Sequence, residues 1–480
     1  MTLNPNLNRF PEKVRHIHIM GICGTGMGSL AGMLKTSGYT ITGSDQNVYP
    51  PMSDFLAQSG IPVTSGYTAD NLDPGPDLVI VGNTISRPNP EAIGLADLGI
   101  PYVSFPQALA HYYLDSKTPL VVCGTHGKTT TASLLASLLH SAGEDAGFMI
   151  GGLVQAFGRN YNLGNSQYFV VEGDEYDTAF FDKGPKFLHY QPHIAVLTSI
   201  EFDHADIYAD IDEIKNSFAR LVAIMPDDGC LVACLDDPLV KEVVEKAQCR
   251  VIGYGLQQGF DWCLEDIQVK PDGTRFAVIK QGKPYATFSS PMPGRHNALN
   301  SLAVIAILDR LDIDKKVIFN GLQNFEGVKR RQEVRGVIDG ITVIDDFAHH
   351  PTAVRETLGA LKEAYEGRRL LAVFEPRTNS SRRRVFQKTY VTSFDHADQV
   401  ITKEPIALTN IPEEQRFSSR ELTEDLVARG KEALYFGTTE EIIEYLGLHT
   451  RKGDVIAILS NGGFDNIHSR LLDKLSSRAV

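Results

Sequence analysis

The stretch PLVVCGTHGKTTTASLLASLLH, residues 119–140, decides the fold of the central part of this chain. It begins with a short apolar run, residues 120–123, of the kind that forms a buried parallel strand. A glycine turn follows at 124–129, and residues 130–140 carry apolar side chains at helical spacing. A strand, a glycine loop with Lys-Thr and a helix form a phosphate-binding arrangement, because loop amides and the helix N-terminus face an anion.

Two side chains of this loop have distinct predicted roles. Lys128 is placed to reach the outer phosphates of a nucleotide, and the hydroxyl of Thr129 to bind Mg²⁺. The longer form of the motif has a glycine where this chain has Val122, so the match is to the shorter G-x-x-G-K-T form. The alternative is a glycine turn with a chance Lys-Thr pair, but the flanking strand and helix favour phosphate binding. The predicted nucleotide-binding residues are Gly124, Thr125, His126, Gly127, Lys128, Thr129 and Thr130.

Length and composition limit the possible functions. The chain has 480 residues, too many for one core, so two to four domains are expected. A net charge of −13 argues against a partner that is a nucleic acid or an anionic membrane. No apolar run approaches the ~20 residues of a membrane span, and the first residues lack a signal core, so we expect a cytoplasmic protein. The six cysteines are scattered without a CxxC pair, which predicts free thiols rather than disulfides or zinc ligands.

A second glycine-rich turn lies near the N-terminus. Residues 16–20 are predicted to form a strand that enters this turn, 21–28, and a helix and a second strand follow. The βαβ layout, with an acid about twenty residues on, is typical of a dinucleotide or nucleotide-sugar site. The strict G-x-G-x-x-G pattern fails at Ser29 when read from Gly24, but ends in a tolerated Ala31 when read from Gly26. A structural turn without ligand is the alternative. The predicted substrate-binding residues are Gly24, Thr25, Gly26, Met27, Ser44 and Asp45, with Asn83, Ser86 and Arg87 beyond the strand 78–82.

Acidic residues follow a third predicted strand, 168–171, in the sequence EGDEYD. Four carboxylates at one strand end suit a hard cation with oxygen ligands, whereas the alternative is a solvated acidic loop. The strand 194–200 ends close to His204. Because parallel strands bring their carboxyl ends to one edge of a sheet, we expect one nucleotide–metal site. Its predicted members are Lys128, Thr129, Glu172 and His204.

The last part of the chain contains a small antiparallel region, 253–290, and then another α/β sheet with polar clusters at its strand ends. His296, Asn297 and Asn300 lie on the first turn of a predicted helix, where they are placed to contact a nucleotide; an alternative role of Asn297 is to cap the helix. Arg377 and Asn379 directly follow the strand 370–374 and are pocket candidates.

These motifs, from GICGTGMGSLA through GTHGKTTT, EGDEYD, EFDHADIY, GRHNALN, GVKRR, DDFAHHP, EPRTN and SNGGF, resemble the Mur ligase family in identity and order over essentially the whole chain. The resemblance implies three domains: a Rossmann-like UDP-sugar domain at 1–115, a P-loop ATPase domain at 116–328 and a Rossmann-like domain for the amino substrate at 329–480. It also implies ATP and Mg²⁺ as cofactors.

The resemblance further implies roles for individual residues. Glu172 and His204 match ligands of a second Mg²⁺ and, with Lys128, are the expected catalytic residues. A departure from the family pattern occurs at Ser199, where an asparagine is common. His296, Asn297 and Asn300 match the segment that contacts the nucleotide. Arg331, Asp346 and His349 match the residues by which the third domain closes on ATP. Arg377, Asn379 and Asn461 match the site for the amino substrate.

Within the family, the motifs GSDQNVYPPMS, FFDK, EFDHADI, DDFAHHPTA, FEPRTN and SNGGF are most similar to one branch. That branch joins UDP-N-acetylmuramate to the murein tripeptide L-Ala-γ-D-Glu-meso-diaminopimelate through an acyl phosphate, in peptidoglycan recycling. The alternative within the family is the ligase that adds L-alanine in peptidoglycan biosynthesis. A nucleotide-sugar oxidoreductase and a non-catalytic nucleotide-binding regulator are alternatives from other classes. The oligomeric state is left open.

Overall fold

The computed structural model describes residues 3–50, 52–408 and 411–478. The chain forms two compact units, one made of Met1–Ile200 with Ile214–Ile252 and the other of Glu201–Glu213 with Gly253–Val480. The segment that carries His204 therefore belongs to the second unit, while the phosphate loop belongs to the first.

The first unit begins with a five-stranded parallel sheet of order β3-β2-β1-β4-β5. This is the order of a doubly wound nucleotide-binding sheet. Its strands are β1 His16–Met20, β2 Thr40–Asp45, β3 Val63–Ser65, β4 Leu78–Val81 and β5 Tyr102–Ser104. Its helices are α1 Thr25–Thr36, α2 Met52–Gln58, α3 Pro90–Leu98 and α4 Phe105–Leu109, the last continued by a π-helical turn, Ala110–Leu114.

The same unit contains a second sheet region around the phosphate loop, of order β13-β12-β6-β9-β7-β8, parallel except for β8. A separate antiparallel hairpin, β10–β11, projects from it. The strands are β6 Thr118–Cys123, β7 Gly147–Val154, β8 Arg159–Asn162, β9 Tyr168–Gly173, β10 Asp177–Ala179, β11 Asp182–Pro185, β12 Ile194–Leu197 and β13 Cys230–Cys234. The helices are α5 Lys128–Ser141, α6 Ile211–Ala223 and α7 Pro238–Val244.

The second unit starts with the predicted antiparallel region. In it β14 pairs in parallel with β15, and β15, β16 and β17 pair antiparallel. The strands are β14 Arg250–Gly255, β15 Trp262–Lys270, β16 Gly273–Lys280 and β17 Lys283–Ser290, followed by the helices α8 Arg295–Arg310 and α9 Lys315–Gln323.

The C-terminal sheet has six strands in the order β18-β19-β23-β20-β21-β22, parallel except for β18. The strands are β18 Glu333–Ile338, β19 Ile341–Asp346, β20 Leu370–Phe374, β21 Gln399–Lys403, β22 Glu432–Phe436 and β23 Val455–Leu459. The helices are α10 Pro351–Ala364, α11 Gln387–Ser393, α12 Ser419–Ala428, α13 Thr439–His449 and α14 Ile467–Arg478. Buried residues of β20 and β23 divide between two apolar clusters, one on each face of the sheet, as the continuous apolar runs of these strands predict.

The predicted fold class is confirmed: an α/β protein with Rossmann-like first and last domains and a P-loop central domain. The helices α1 and α5 start earlier than the apolar spacing indicated, because a glycine directly precedes each of them. Gly24 and Gly127 are the N-caps of α1 and α5, so Thr25 and Lys128 already lie in the helices. The capping role considered for Asn297 is wrong, since Gly294 is the N-cap of α8.

Two further observations bear on the expectations from composition. The six cysteines are free thiols; five are buried and Cys23 is partly exposed. None of the helices within the described residues combines the length and the apolar character needed to cross a membrane.

Candidate active site

The phosphate loop connects the end of β6 to the start of α5. Gly124 has a φ of +122°, and a Cβ there would lie 2.1 Å from Thr198 Oγ1, so only glycine fits this position. Gly127 has a φ of +81° and caps the helix. Intrahelical bonding begins with the Thr131 amide, which donates to Gly127 O. The preceding amides of α5 therefore remain available for an anion.

Lys128, the first residue of α5, is partly buried in an acidic environment. Its Nζ donates to Glu175 Oε2 at 2.8 Å and to Gly124 O at 2.6 Å. Burial lowers the pKa of the ammonium, but the negative charges of Glu175 and Asp174 outweigh this and raise it above its ordinary value. The lysine is thus a permanent cation at the N-terminus of a helix, as a phosphate-binding lysine must be.

Thr129 and Glu172 are brought together from α5 and the neighbouring strand β9. Thr129 Oγ1 donates to Glu172 Oε2 at 3.0 Å, and the Gly151 amide donates to Oε1 at 2.6 Å. Burial and the nearby charge of Asp174 raise the pKa of Glu172. A cation would offset the cost of this partly buried carboxylate, and a hydroxyl beside a carboxylate is an oxygen donor set that Mg²⁺ prefers. These residues fit a magnesium ion.

The acidic strand end is not the solvated loop considered as the alternative. Glu175 is 1% exposed and pairs with Lys128. Asp174 accepts from Lys186 at 3.0 Å, and the Lys186 ammonium also lies 4.0 Å from the centre of the Tyr176 ring. Burial raises the pKa of Asp174, but the charges of Lys186 and Lys128 reverse this and hold it below its usual value. The carboxylates of Glu175 and Asp174 are therefore compensated by lysines rather than solvated.

The N-terminal glycine turn places its predicted substrate residues in two environments. Gly24, Thr25 and Gly26 are exposed at the start of α1, whereas Met27 is buried. β4 pairs with β1. The predicted substrate residues that follow β4 are exposed; they are Asn83, Ser86 and Arg87.

Ser44 and Asp45 are buried and already engaged. Ser44 Oγ donates to Glu91 at 2.7 Å, and Asp45 accepts from the amides of Cys23 and Asn47, each at 2.9 Å. These two side chains support the N-terminal glycine turn from the interior of the protein.

Contacts inside the first unit link the glycine turn to Glu172. Ser29 Oγ of α1 donates to Asn160 Oδ1 at 2.9 Å, on the β7–β8 hairpin. Gly151, whose amide holds Glu172, lies on the same hairpin. A separate contact joins the end of β5 to β10–β11, where Ser104 Oγ donates to Asp182 at 3.1 Å. The β7–β8 hairpin therefore contacts both α1 and Glu172.

His204 lies in the second unit, so its predicted convergence with Lys128, Thr129 and Glu172 stays a prediction. It has a φ of +53°, and its amide donates to Asp203 Oδ1 at 2.6 Å. Burial raises the pKa of Asp203, but the imidazoles of His204, His349 and His350 reverse this and hold it well below its usual range. Asp203, which the sequence did not single out, brings together the two predicted site residues His204 and His349.

The other predicted nucleotide residues of the second unit form two groups. On α8, Asn297 and Asn300 are buried, and Asn300 Nδ2 donates to Asn297 Oδ1 at 3.4 Å. His296 precedes them, and burial lowers its pKa. Its Nε2 lies 3.5 Å from Gln332 Nε2, which connects α8 to the segment before β18.

The second group surrounds the end of β19. Asp346 is buried and accepts from the amides of Gln332 and Ala348, both at 2.8 Å. Burial raises its pKa even though the charge of Arg331 opposes the shift. The Arg331 guanidinium stacks 4.6 Å from the centre of the Phe347 ring. Asp346 therefore holds in place the segment that contains Arg331.

The predicted amino-substrate residues lie beyond β20 and β23, which are neighbours in the sheet. Arg377 Nη1 is 3.5 Å from Glu375 Oε1, and Asn379 Nδ2 donates to Asp206 at 3.0 Å. The carbonyl oxygen of Asn461 lies 3.5 Å from Arg330 Nη1. These strand ends meet, as parallel topology predicts.

Sequence reasoning missed the ionic centre of this cluster. Glu375 is buried and accepts from Lys403 Nζ at 3.1 Å and from Ser460 Oγ at 2.7 Å. Lys403 also donates to Asp465 at 2.8 Å. The available signal was a lysine at the end of the buried strand β21, where an uncompensated charge would be costly.

Three family models match consecutive parts of the chain. The Mur ligase family catalytic domain matches residues 16–116, the Mur ligase middle domain 122–308, and the Mur ligase glutamate ligase domain 330–462. The order of the matches is the order of the three sheets described above.

Two kinds of ligase are among the proteins with similar sequences. The UDP-N-acetylmuramate–L-alanyl-γ-D-glutamyl-meso-2,6-diaminoheptandioate ligase of Escherichia coli is 38% identical over 467 residues, covering 96% of this chain and 99% of the relative. The UDP-N-acetylmuramate–L-alanine ligase of Caldanaerobacter subterraneus is 35% identical over 465 residues, covering 96% and 98%. The crystal structure of a murein peptide ligase from Psychrobacter arcticus superimposes with a TM-score of 0.72 at 37% identity, covering 96% and 99%. With such relatives along almost their entire length, this chain belongs to the Mur ligase family.

Proposed function

We propose that the protein is an ATP-dependent ligase that joins UDP-N-acetylmuramate to the tripeptide L-Ala-γ-D-Glu-meso-diaminopimelate. The observation that carries the chemistry is the set of Lys128, Thr129 and Glu172 at the start of α5 and the end of β9. The choice of acceptor rests on the similarity to ligases named for this peptide at 37–38% identity. In the proposal the domains span residues 1–115, 116–328 and 329–480, and the reaction serves peptidoglycan recycling in the cytoplasm.

The reaction needs an activated carboxylate, because the lactyl carboxylate of the sugar is a poor acylating agent. Transfer of the γ-phosphoryl group from ATP gives an acyl phosphate and ADP. Attack by the free amine of the peptide then forms the amide bond and releases phosphate. The first step is phosphoryl transfer, so the protein contributes mainly position and neutralisation of charge.

Lys128 supplies the positive charge for the outer phosphates. In the structure its ammonium is held by Glu175 and by the Gly124 carbonyl. Binding of a nucleotide exchanges part of this coordination for phosphate oxygens, while the amides at the start of α5 stay fixed. The repulsion between the carboxylate and the γ-phosphate is thereby reduced.

Thr129 would hold one Mg²⁺ through its hydroxyl, and Glu172 and His204 match the ligands of a second Mg²⁺ in the family motif. A bound Mg²⁺ supplies charge neutralisation at phosphate oxygens. The Gly151 amide keeps the Glu172 carboxylate in place. His204 must be neutral to serve as a ligand.

The remaining assignments concern the substrates. The UDP-sugar is proposed to contact the exposed start of α1 and the surface beyond β4. His296, Asn297, Asn300, Arg331, Asp346 and His349 are proposed to serve nucleotide binding. The peptide acceptor, which carries several carboxylates and a free amine, is proposed to contact Arg377, Asn379 and Asn461, a set that offers both a cation and amide groups.

Phosphate release from ATP and Mg²⁺ tests the proposal. Release is expected only when UDP-N-acetylmuramate and an amine acceptor are both present, and mass spectrometry should detect UDP-N-acetylmuramyl-tripeptide. Turnover without the sugar nucleotide, or reduction of a nicotinamide cofactor instead, would contradict the ligase assignment.

A further inference from the structure

Ser199 lies two residues after the end of β12 and contacts the phosphate loop. Its carbonyl oxygen accepts from the Thr125 amide at 2.9 Å, and its Oγ accepts from the His126 amide at 3.1 Å. The adjacent Thr198 donates from Oγ1 to the His126 carbonyl at 2.5 Å. Both polar groups of the His126 backbone are therefore held by the end of β12.

These bonds divide the loop amides into two sets. The amides of Thr125 and His126 point to Ser199 and support the loop from the side of β12. The anion site is left to the start of α5, where the amides that precede Thr131 have no acceptor inside the helix. Ser199 thus engages the Thr125 and His126 amides, which leaves the amides at the start of α5 for phosphate.

The loop needs such support because its own backbone is unusual. Gly124 and Gly127 both have positive φ, at +122° and +81°, and glycine is conformationally permissive. His126 lies between them, one residue before the N-cap of α5. A hydrogen bond at the His126 amide therefore restrains the direction in which α5 and Lys128 start.

We infer that Ser199 is a positioning residue for phosphoryl transfer, which acts by fixing the His126 amide and through it the start of α5. The inference rests on the proposed function. One oxygen of serine accepts this bond and keeps its O–H as a donor. Asparagine offers the same kinds of acceptor and donor from its carbonyl and amino groups.

The test compares S199A with S199T and S199N. S199A is expected to raise the Kd of ATP by about fivefold to tenfold, the effect of one lost hydrogen bond, and to lower kcat by about tenfold. The KM of the peptide acceptor should stay within about twofold. S199T and S199N retain an acceptor and should restore both constants to within about threefold of the original. S141A is the matched control, because Ser141 lies in the last turn of α5 and donates to Ser137 O.

Calorimetry with ATP and steady-state phosphate release give the two readouts. S199A with ATP affinity and kcat unchanged would overturn the inference, as would equal losses in S199A and S199T. If S199A does not fold, S199C has a weaker acceptor at nearly the same volume and should show the same losses. Failure of the proposed function can be told apart from failure of this inference. In that case the unsubstituted protein would bind ATP without forming product, and the ATP affinities of the variants would still test the role of Ser199.

Discussion

The Lys128 ammonium lies 2.8 Å from the Glu175 carboxylate, which is buried, while the lysine side chain is 11% exposed. The carboxylate keeps the lysine charged at the N-terminus of α5. The pair has a cost, because two charges have left water and depend on each other. Glu175 is therefore as much a part of the phosphate site as the lysine itself.

Removing only the lysine should reduce both activity and stability. K128M leaves the Glu175 carboxylate buried without its cation, so we expect a loss of about 3–5 kcal/mol in the free energy of unfolding. Turnover should fall by at least about 10²-fold. The double variant K128M/E175Q should recover most of the stability and none of the activity. Urea unfolding and phosphate release measure the two effects; a stable or active K128M would refute the role of the pair.

Glu172 is expected to determine the requirement for Mg²⁺. E172Q removes the partly buried carboxylate, while the amide oxygen of the glutamine still accepts from the Gly151 amide. Stability without metal at neutral pH should be unchanged or higher, whereas the Mg²⁺ concentration for half-maximal activity should rise at least about tenfold. E242Q is a control, because Glu242 is exposed and pairs with Lys215. An unchanged Mg²⁺ requirement in E172Q would rule out the ligand role.

The local parts of the phosphate site were predictable from the sequence. Lys128 and Thr129 follow a buried strand and open a helix within one continuous segment, so their position depends on short-range geometry. Glu172 ends the adjacent strand of the sheet, and parallel topology brings it to the same edge. The fold class followed from the same alternation of strands and helices.

The partners of these residues were not predictable, because they are distant in sequence and depend on three-dimensional packing. Ser199 holds a loop 73 positions earlier in the chain, and Lys186 neutralises Asp174 from the far side of a hairpin. The same holds for Ser44, a predicted substrate-binding residue whose hydroxyl donates to the distant Glu91 in the interior.

Glu91 should be essential for the stability of the N-terminal sheet. It is fully buried and accepts from His18 at 2.8 Å and from Ser44 and Asn71 at 2.7 Å. E91A leaves these donors unsatisfied, so we expect a loss of about 3–5 kcal/mol. Urea unfolding measures it, with E12A at an exposed site as the control. A loss below about 1 kcal/mol would show that the network contributes little.

The contribution of Asp182 to stability should depend on pH. Burial raises the pKa of this carboxyl, but the hydrogen bonds from His189 and Ser104 outweigh burial and lower it. A carboxyl whose pKa is lowered on folding stabilises the folded protein. This stabilisation is fully present above the pKa of about 4 in the unfolded state, and it is lost as the pH falls through the pKa in the folded state. D182N should therefore cost about 1 kcal/mol at pH 7 and nearly nothing below about pH 3. A difference from the original that is constant between pH 3 and pH 7 would contradict this.

The acceptor decides between the two branches of the family that this chain resembles. The most direct measurement compares kcat/KM for L-Ala-γ-D-Glu-meso-diaminopimelate and for L-alanine, with ATP, Mg²⁺ and UDP-N-acetylmuramate saturating. We predict efficient phosphate release with the tripeptide and a kcat/KM for L-alanine lower by at least about 10³-fold, because alanine has a single carboxylate and lacks the further carboxylates and the second amine that the C-terminal domain would bind. Efficient release with L-alanine and none with the tripeptide would contradict the central claim and assign the protein to the alanine-adding branch.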